Sequence, residues 1–469
     1  MKTVNTVVIG AGPGGYVCAI RLAQLGIETL VVEKTNWGGV CLNVGCIPSK
    51  ALISAATKFS DLVSPKKSGL SDMGISFGSD VEIDMLKLQA WKEGIVGKLT
   101  GGIAQLLEKN GAQMMIGEAT INGVGSITVK TADGSENIKC ENIVIATGST
   151  PIEIPGFSYK DPRIMDSTKA LAIKELPKRT VVIGGGYIGL ELGTVLSKLG
   201  SEVTIVEMGD QLLPGFDPDV VRVLARNLKK SKVPVMLKSR ALGWEENEDC
   251  ASVTVDTPKG EKSLDADAIL VTVGRFPNTT GFGLEKLNVN MDGRFIKIDK
   301  QGKTSVAGIY AIGDVAGNPM LAHKASHEAE VVAEVIAGHN VQNEAKTVPA
   351  VVFTNPEVAT AGLQEHEAKA AGYDIKVGKV PFAAIGRALT TGHTDGFIKV
   401  VLDASDDRVL GVTICGSHAS DLISEAALAV EMDASALDIG LTIHPHPTLG
   451  EGVMEATKAA LGEAIHILN

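Results

Sequence analysis

The sequence predicts an α/β fold: two Rossmann-like dinucleotide-binding domains followed by a C-terminal α+β dimerisation domain. Three observations carry this expectation. The pattern G-x-G-x-x-G follows a short apolar strand at Gly10, Gly12 and Gly15, and does so again at Gly184, Gly186 and Gly189. In each copy an acid, Glu33 or Glu207, closes the next strand 23 residues after the first glycine. Beyond about residue 346 the texture changes to paired strands and helices without that glycine pattern. The boundaries that follow are 1–150, 151–277, a central segment 278–345 that completes the first nucleotide site, and 346–469.

Composition narrows the function class. The chain has 469 residues, 44% of them apolar, with 53 glycines. That is enough for about three domains and suits stacked strand-to-helix turns. The net charge of −11 is offset by no basic cluster, since Lys66-Lys67 and Lys229-Lys230 are isolated pairs, and this argues against nucleic acid as a partner. No uninterrupted run approaches about 18 apolar residues, so no membrane span is expected. Lys2 leads directly into a strand and not into an apolar core with a cleavage site. A cytoplasmic location is therefore expected, or an organelle matrix after removal of a presequence. Six cysteines in this length do not form a secreted disulfide scaffold, and Cys18, Cys140, Cys250 and Cys415 are scattered singly.

Thr6 to Ile9 reads as the first strand, the glycines as the turn, a helix runs through Leu25, and Glu28 to Glu33 forms the second strand. In such a unit the glycines permit a tight turn and close approach of a pyrophosphate, and the acid binds ribose hydroxyls. Five residues after this unit comes Gly38-Gly39-Val40-Cys41-Leu42-Asn43-Val44-Gly45-Cys46-Ile47-Pro48-Ser49-Lys50. Residues five apart in a regular helix are separated by about 8 Å, too far for a disulfide, so the backbone must be irregular here. Gly45 supplies the freedom, and Pro48 suits a first turn. The helix is expected to begin near Cys46, with Cys41 on an irregular entry. A helix N-terminus favours a thiolate at Cys46. Two buried thiols acting as small hydrophobes, or half of a metal site, are the alternatives; the spacing does not suit zinc, and no metal site is expected. In a reducing compartment the pair is better read as a bond made and broken in turnover.

A helix is expected over Lys87–Asn110, weakened by Gly94, Gly97, Gly101 and Gly102, and small antiparallel strands around Ile121–Val129. Ile143 to Ile145 is a buried strand ending in the turn Thr147-Gly148-Ser149. Thr180 to Ile183 opens the second unit, and Ala268 to Pro277, with Gly274, closes it by echoing that strand-and-turn pattern. The first nucleotide lies next to the cysteines and is read as FAD; the second is read as NAD, because the Glu207 carboxylate would repel the extra phosphate of NADP. Two dinucleotides suit an electron relay. Ile309 to Val315 is a strand followed by Asp314, placed to contact the flavin's ribityl chain or simply to cap a helix beginning around Leu321. Near the C-terminus, His446 stands before Pro447 with Glu451 five residues on, and is the best candidate for the base that dithiol chemistry needs; His444 is its competitor.

These motifs together with Ala311-Ile312-Gly313-Asp314-Val315, Met320-Leu321-Ala322-His323-Lys324 and the terminal His-Pro-Thr-Leu-x-Glu resemble the pyridine nucleotide-disulfide oxidoreductases across nearly the whole chain. Within them the pattern is most similar to the branch that oxidises dihydrolipoyl groups. The resemblance implies that Cys41 meets the substrate and that Cys46 lies against the flavin as a thiolate. It implies that His446, paired with Glu451, acts on the disulfide of the other subunit of a homodimer. Lys50 resembles the lysine beside the flavin's reactive nitrogen, with Glu191 as its ion-pair partner. Asp314, Met320, Leu321, Ala322 and His323 resemble a flavin-binding segment, as do Thr147, Gly148 and Ser149, and Gly117 is similar to a residue beside the FAD adenine. The implied partners are lipoyl-bearing domains of 2-oxo acid dehydrogenase or glycine-cleavage complexes. Pro445 and Gly450 depart from the family pattern, in which alanine and a larger residue are common.

Other readings are compatible with parts of the sequence. A glutathione reductase would want arginines near the second ribose, and a mercuric reductase a C-terminal cysteine pair. A binding or surface role would not need the full set of reacting groups.

Overall fold

The computed structural model describes residues 2–64, 70–75 and 81–468, so Lys66-Lys67 lies outside the described residues. The first parallel sheet has the strand order Ile309–Ala311, Asn142–Ile145, Thr6–Ile9, Thr29–Glu33, Gln113–Ile116. Its central strands are apolar without alternation because both faces are covered: Val7, Val8, Leu30 and Val31 are fully buried. The edge strand Ile309–Ala311 comes from the far side of the second unit. Its arrival carries Asp314 to the first nucleotide site, and the helix Ala322–Ile336 that follows packs on the helix Pro13–Gln24. A small antiparallel sheet, Glu118–Gly123, Ser126–Thr131 and Gly134–Lys139, sits beside this unit.

The second unit repeats the plan, with strand order Ile164–Met165, Ala268–Val271, Arg179–Ile183, Glu202–Val206, Val235–Met236. The C-terminal unit is an antiparallel sheet ordered Ala350–Val352, Glu357–Gly362, Val409–Gly416, Phe397–Asp403, Ile375–Pro381, covered by the helices Ala419–Glu431 and Glu451–Ala460.

Two details differ from expectation. Cys41 is not on an irregular entry but inside a short helix, Gly39–Val44, and the irregularity is confined to Gly45, at φ −141° and ψ −112°, before the helix Cys46–Val63. Gly38 and Gly39, both at positive φ, turn the chain into that short helix. A Cβ at Gly45 would stand 2.9 Å from the Val40 carbonyl oxygen, so glycine is needed at the break. The stretch Gly39–Val63 is also long and apolar enough, by length and composition, to cross a membrane. Serine, threonine and lysine interrupt its apolar run without lowering the average enough to fail that test. It is a core element here: Leu52 and Ala56 are buried in the cluster that also holds Leu192 and Leu196 of the helix Tyr187–Leu199. The glycine-bearing helix, by contrast, runs unbroken over Met85–Lys109, capped by the Asp84 side chain on the Lys87 amide.

A buried ion cluster joins the second and third units. Lys399, 2% exposed, donates to Asp217 at 2.6 Å, Asp219 at 3.1 Å and Glu365 at 3.3 Å. Burial opposes ionisation of Asp217, but hydrogen bonds from Lys399 and His366 outweigh it and hold the carboxyl below its ordinary range. Lys399→Met leaves these acids buried without their shared cation and is expected to cost about 3–5 kcal/mol, read as a lowered Tm near neutral pH. A depressed carboxyl contributes stability above its unfolded-state pKa and loses it as pH falls through the folded value. The Tm difference should therefore narrow in acid; a constant difference would show that the effect is packing alone.

Candidate active site

The two glycine turns have the same local construction. A Cβ at Gly10 would sit 2.3 Å from the Ala146 carbonyl oxygen, and one at Gly184 would sit 2.6 Å from that of Thr272. Cβ atoms at Gly15 and Gly189 would lie 1.8 and 2.1 Å from the carbonyl oxygens of Gly10 and Gly184. At Gly12 and Gly186 a Cβ meets nothing within 4 Å, and neither helix that begins there has a side-chain cap. Each N-terminus is therefore open to an anion. Glu33 accepts from the Ala11 amide at 2.7 Å and from Thr35 at 2.9 Å; Glu207 accepts from the Gly185 and Gly209 amides, each at 2.6 Å. The backbone thus holds both carboxylates at the turn, with lone pairs left for ribose hydroxyls. Gly117 donates its amide to the Glu33 carbonyl at 2.9 Å, and Gly274, at φ +122°, accepts from the Ile152 amide at 3.1 Å. These donor sets fit an adenine dinucleotide in each unit.

Both cysteines are free thiols; Cys41 is half-buried, and Cys46 is exposed as a residue although surrounding protein still desolvates its thiol. The Cys41 thiol is hydrogen-bonded to Cys46, which pushes the pKa of Cys41 up, with burial adding to the effect. The same bond, helped by the Lys50 charge and the Cys46 backbone amide, lowers Cys46 to about 7 against the opposing effect of burial. The helix start contributes, as expected from sequence, but the neighbouring thiol contributes more. Lys50 is fixed by Glu191 at 2.9 Å and stands 4.5 Å over the Phe353 ring. Glu191, 4% exposed, also accepts from the Phe353 amide at 2.9 Å and from Ser49 at 3.3 Å.

Asp314 lies in the single turn Gly313–Val315 and accepts from the Ser149 hydroxyl at 2.5 Å. The helix Ala322–Ile336 starts after Leu321, so Asp314 is not its cap. Thr147 and Gly148 are closed by Asn278, which accepts from the Thr147 hydroxyl at 2.7 Å and donates its own amide to Gly148 at 2.9 Å. Met320, Leu321 and Ala322 are half-buried at that helix's uncapped start, and the His323 Nε2 meets the Pro349 carbonyl at 2.7 Å.

The two histidines separate clearly. His444 has both ring nitrogens engaged, Nδ1 with the Thr442 carbonyl at 2.9 Å and Nε2 with Glu425 at 2.7 Å. His446 is bound through Nδ1 to Glu451 at 2.8 Å, and its side chain is 77% exposed. A neutral ring donating from Nδ1 keeps its basic lone pair on Nε2. Burial raises the Glu451 pKa, but the Thr448 amide and His446 outweigh it and hold the carboxyl below its ordinary range. The helix Glu451–Ala460 packs on the strands Ile375–Pro381 and Phe397–Asp403, whereas the cysteine helices pack on Met85–Lys109 and Tyr187–Leu199. Sulfurs and imidazole thus belong to different packing groups of one chain.

Residues 4–329 match the pyridine nucleotide-disulphide oxidoreductase family, and residues 348–457 match its dimerisation domain. The chain belongs to this family. Among pyridine nucleotide-disulphide oxidoreductases, the dihydrolipoyl dehydrogenase of Bacillus subtilis is 49% identical over 99% of this chain and 98% of the relative. That of Geobacillus stearothermophilus is 48% identical over 99% and 97%. The solved structure of LpdA from Mycobacterium tuberculosis matches with a TM-score of 0.89 at 26% identity, covering 97% of this chain and 99% of that one. The flavoprotein disulfide reductase RclA from Escherichia coli matches at 0.86 and 27%, with 98% and 99% covered.

The structure places further residues beside these groups that no sequence motif singles out. Arg275 donates to Ser149 twice, and Phe353 lies beneath Lys50. Tyr187, at the first position of the second unit's helix, is close enough to Arg275, Asp314, Glu191 and Cys46 for its pKa to respond to each, although burial is the main cause of its upward shift. The Arg275-Phe276-Pro277-Asn278 run beside Gly274 was the one available signal.

Proposed function

We propose that this chain, as a homodimer with FAD and NAD as cofactors, oxidises the dihydrolipoyl groups of lipoyl-bearing domains. The unequal cysteine pair carries this reading. In the oxidised enzyme, a dihydrolipoyl thiolate attacks Cys41 Sγ of a Cys41–Cys46 disulfide, so that one S–S bond forms, one breaks, and Cys46 leaves as thiolate. A pKa of about 7 makes Cys46 the better leaving group. The second substrate thiol gives its proton to His446 Nε2 of the partner subunit and attacks the mixed disulfide; lipoyl disulfide departs, and Cys41 is left reduced. Glu451 steadies the imidazolium through Nδ1. The open turn at Gly12 and the Asp314 segment would hold FAD, which when bound would supply the acceptor for the dithiol's electron pair and a hydride donor to NAD⁺. Lys50, held by Glu191, keeps a positive charge beside Cys46.

Two observations support a dimer. The family's dimerisation domain spans residues 348–457. Leu428, Met432, Leu437, Leu441 and Ile443 are all 62% exposed or more and run into the His446 turn. The lipoyl-bearing partners are those of 2-oxo acid dehydrogenase or glycine-cleavage complexes. An anaerobic titration tests the reading: dihydrolipoamide is expected to bleach the flavin absorption band, and NAD⁺ to restore it. A band that bleaches with NADH but not with dihydrolipoamide would overturn the substrate assignment.

A further inference from the structure

The ribbon between the two nucleotide units raises a question that neither glycine turn answers: what holds Asp314 in place. Strand Arg275–Pro277 pairs antiparallel with Ser149–Pro151, with Arg275 opposite Pro151 and Pro277 opposite Ser149. Arg275 follows the second-unit strand Ala268–Val271, and Ser149 follows the first-unit strand Asn142–Ile145. Arg275 grips that one serine at two points, Nε donating to Oγ at 2.7 Å and Nη2 to the backbone carbonyl at 2.6 Å. A serine hydroxyl has one proton. With its oxygen accepting from Arg275, that proton is committed to Asp314 Oδ2, 2.5 Å away. The direction of the chain is therefore fixed, from guanidinium through hydroxyl to carboxylate.

Among the described residues Arg275 enters no salt bridge with a carboxylate. Its charge acts instead on the groups around the ribbon. It pulls down the pKa of Tyr187 and that of Tyr159, each against a larger rise from burial. Asp314 is thus held through one oxygen by a charged relay, while Oδ1 makes no hydrogen bond among the described residues.

We propose that Arg275 is a positioning residue for the flavin-binding acid: by fixing Ser149, which in turn fixes Asp314, a side chain of the NAD unit sets how tightly the FAD unit holds its cofactor. The inference rests on the reading of Asp314 as a contact to FAD. Flavin retention in Arg275→Ala, Arg275→Lys and Asp314→Ala tests it, read as fluorescence of FAD released on dilution of the holoenzyme, with circular dichroism and sedimentation of the stripped dimers alongside. Loss of a hydrogen-bond relay to a charged group is expected to weaken FAD binding on the order of tenfold in Arg275→Ala. Arg275→Lys should remain weak, because an ammonium keeps the charge but not the two-point fork. The double variant Arg275→Ala/Asp314→Ala should be no weaker than Asp314→Ala alone.

The inference fails if Arg275→Ala keeps FAD as tightly as the native protein, if Arg275→Lys restores full affinity, if the double variant is additive, or if the stripped variant has lost its fold. The underlying reading fails separately. If Asp314→Ala binds FAD normally, Asp314 is not a flavin contact; if Asp314→Ala loses FAD and Arg275→Ala does not, only the relay is wrong.

Discussion

Replacement of His446 by glutamine is expected to lower dihydrolipoamide-dependent reduction of NAD⁺ by about 10²- to 10⁴-fold, the range typical of a lost general base. NADH-driven reduction of an artificial acceptor should stay within about twofold, since that half-reaction needs no proton from the substrate thiols. Glutamine can place an amide where the imidazole stands, yet it offers no basic nitrogen. The assignment depends on the separation of the two histidines. Glu425 and Thr442 occupy both nitrogens of His444, whereas Glu451 takes only Nδ1 of His446. His444→Gln should therefore leave the dihydrolipoamide reaction with far more activity than His446→Gln. Glu451→Gln should fall between them, because it keeps an acceptor for Nδ1 but not the charge that steadies the imidazolium. Paired steady-state assays on one preparation decide the matter. Equal losses in both half-reactions would mean that His446 acts through fold or cofactor retention, not as a base.

Much of this site was legible because its requirements are local. The close approaches at Gly10 and Gly184 depend on residues that the strand-turn-helix geometry always brings near, so the glycine pattern and the acid 23 residues later are enough to read them. His446 and Glu451 are five apart and meet across one turn, which sequence spacing can also suggest. Contacts that were missed come from segments far apart in sequence. The choice between His444 and His446 turns on Glu425, a residue of the helix Ala419–Glu431. Phe353 reaches Lys50 from the start of the third unit, and Arg275 reaches Ser149 across the ribbon. Nothing local in the sequence marks Lys399, and only the meeting of two units buries it against Asp217 and Asp219. The short helix around Cys41 was missed for a different reason: disulfide geometry demands an irregular backbone between the cysteines but does not say at which residue. Gly45 takes all of it, and both flanks stay helical.

That division of the backbone bears on how the cysteines share their work. Replacing Cys41 by serine or by alanine abolishes the disulfide, so either variant should lose dihydrolipoamide oxidation by about 10⁴-fold or more while keeping NADH-driven acceptor reduction. The two variants should differ in the titration of Cys46. Its pKa of about 7 depends first on the hydrogen bond from the Cys41 thiol, and Lys50 adds to that effect. Serine retains a donor, and an O–H donates more strongly than an S–H, so Cys41→Ser should still form the Cys46 thiolate as pH rises through the neutral range. Alanine removes the donor and leaves burial, which opposes the charge, so Cys41→Ala should need a higher pH to reach the same thiolate fraction. Lys50→Met in the native background should move the titration in the same direction by a smaller amount, because the lysine charge ranks below the thiol hydrogen bond among the causes. Thiolate ultraviolet absorbance, followed against pH in the reduced proteins, reads all three. Coincident curves for the serine and alanine variants would show that the helix start and Lys50 alone set Cys46, and that the neighbouring thiol does not tune it.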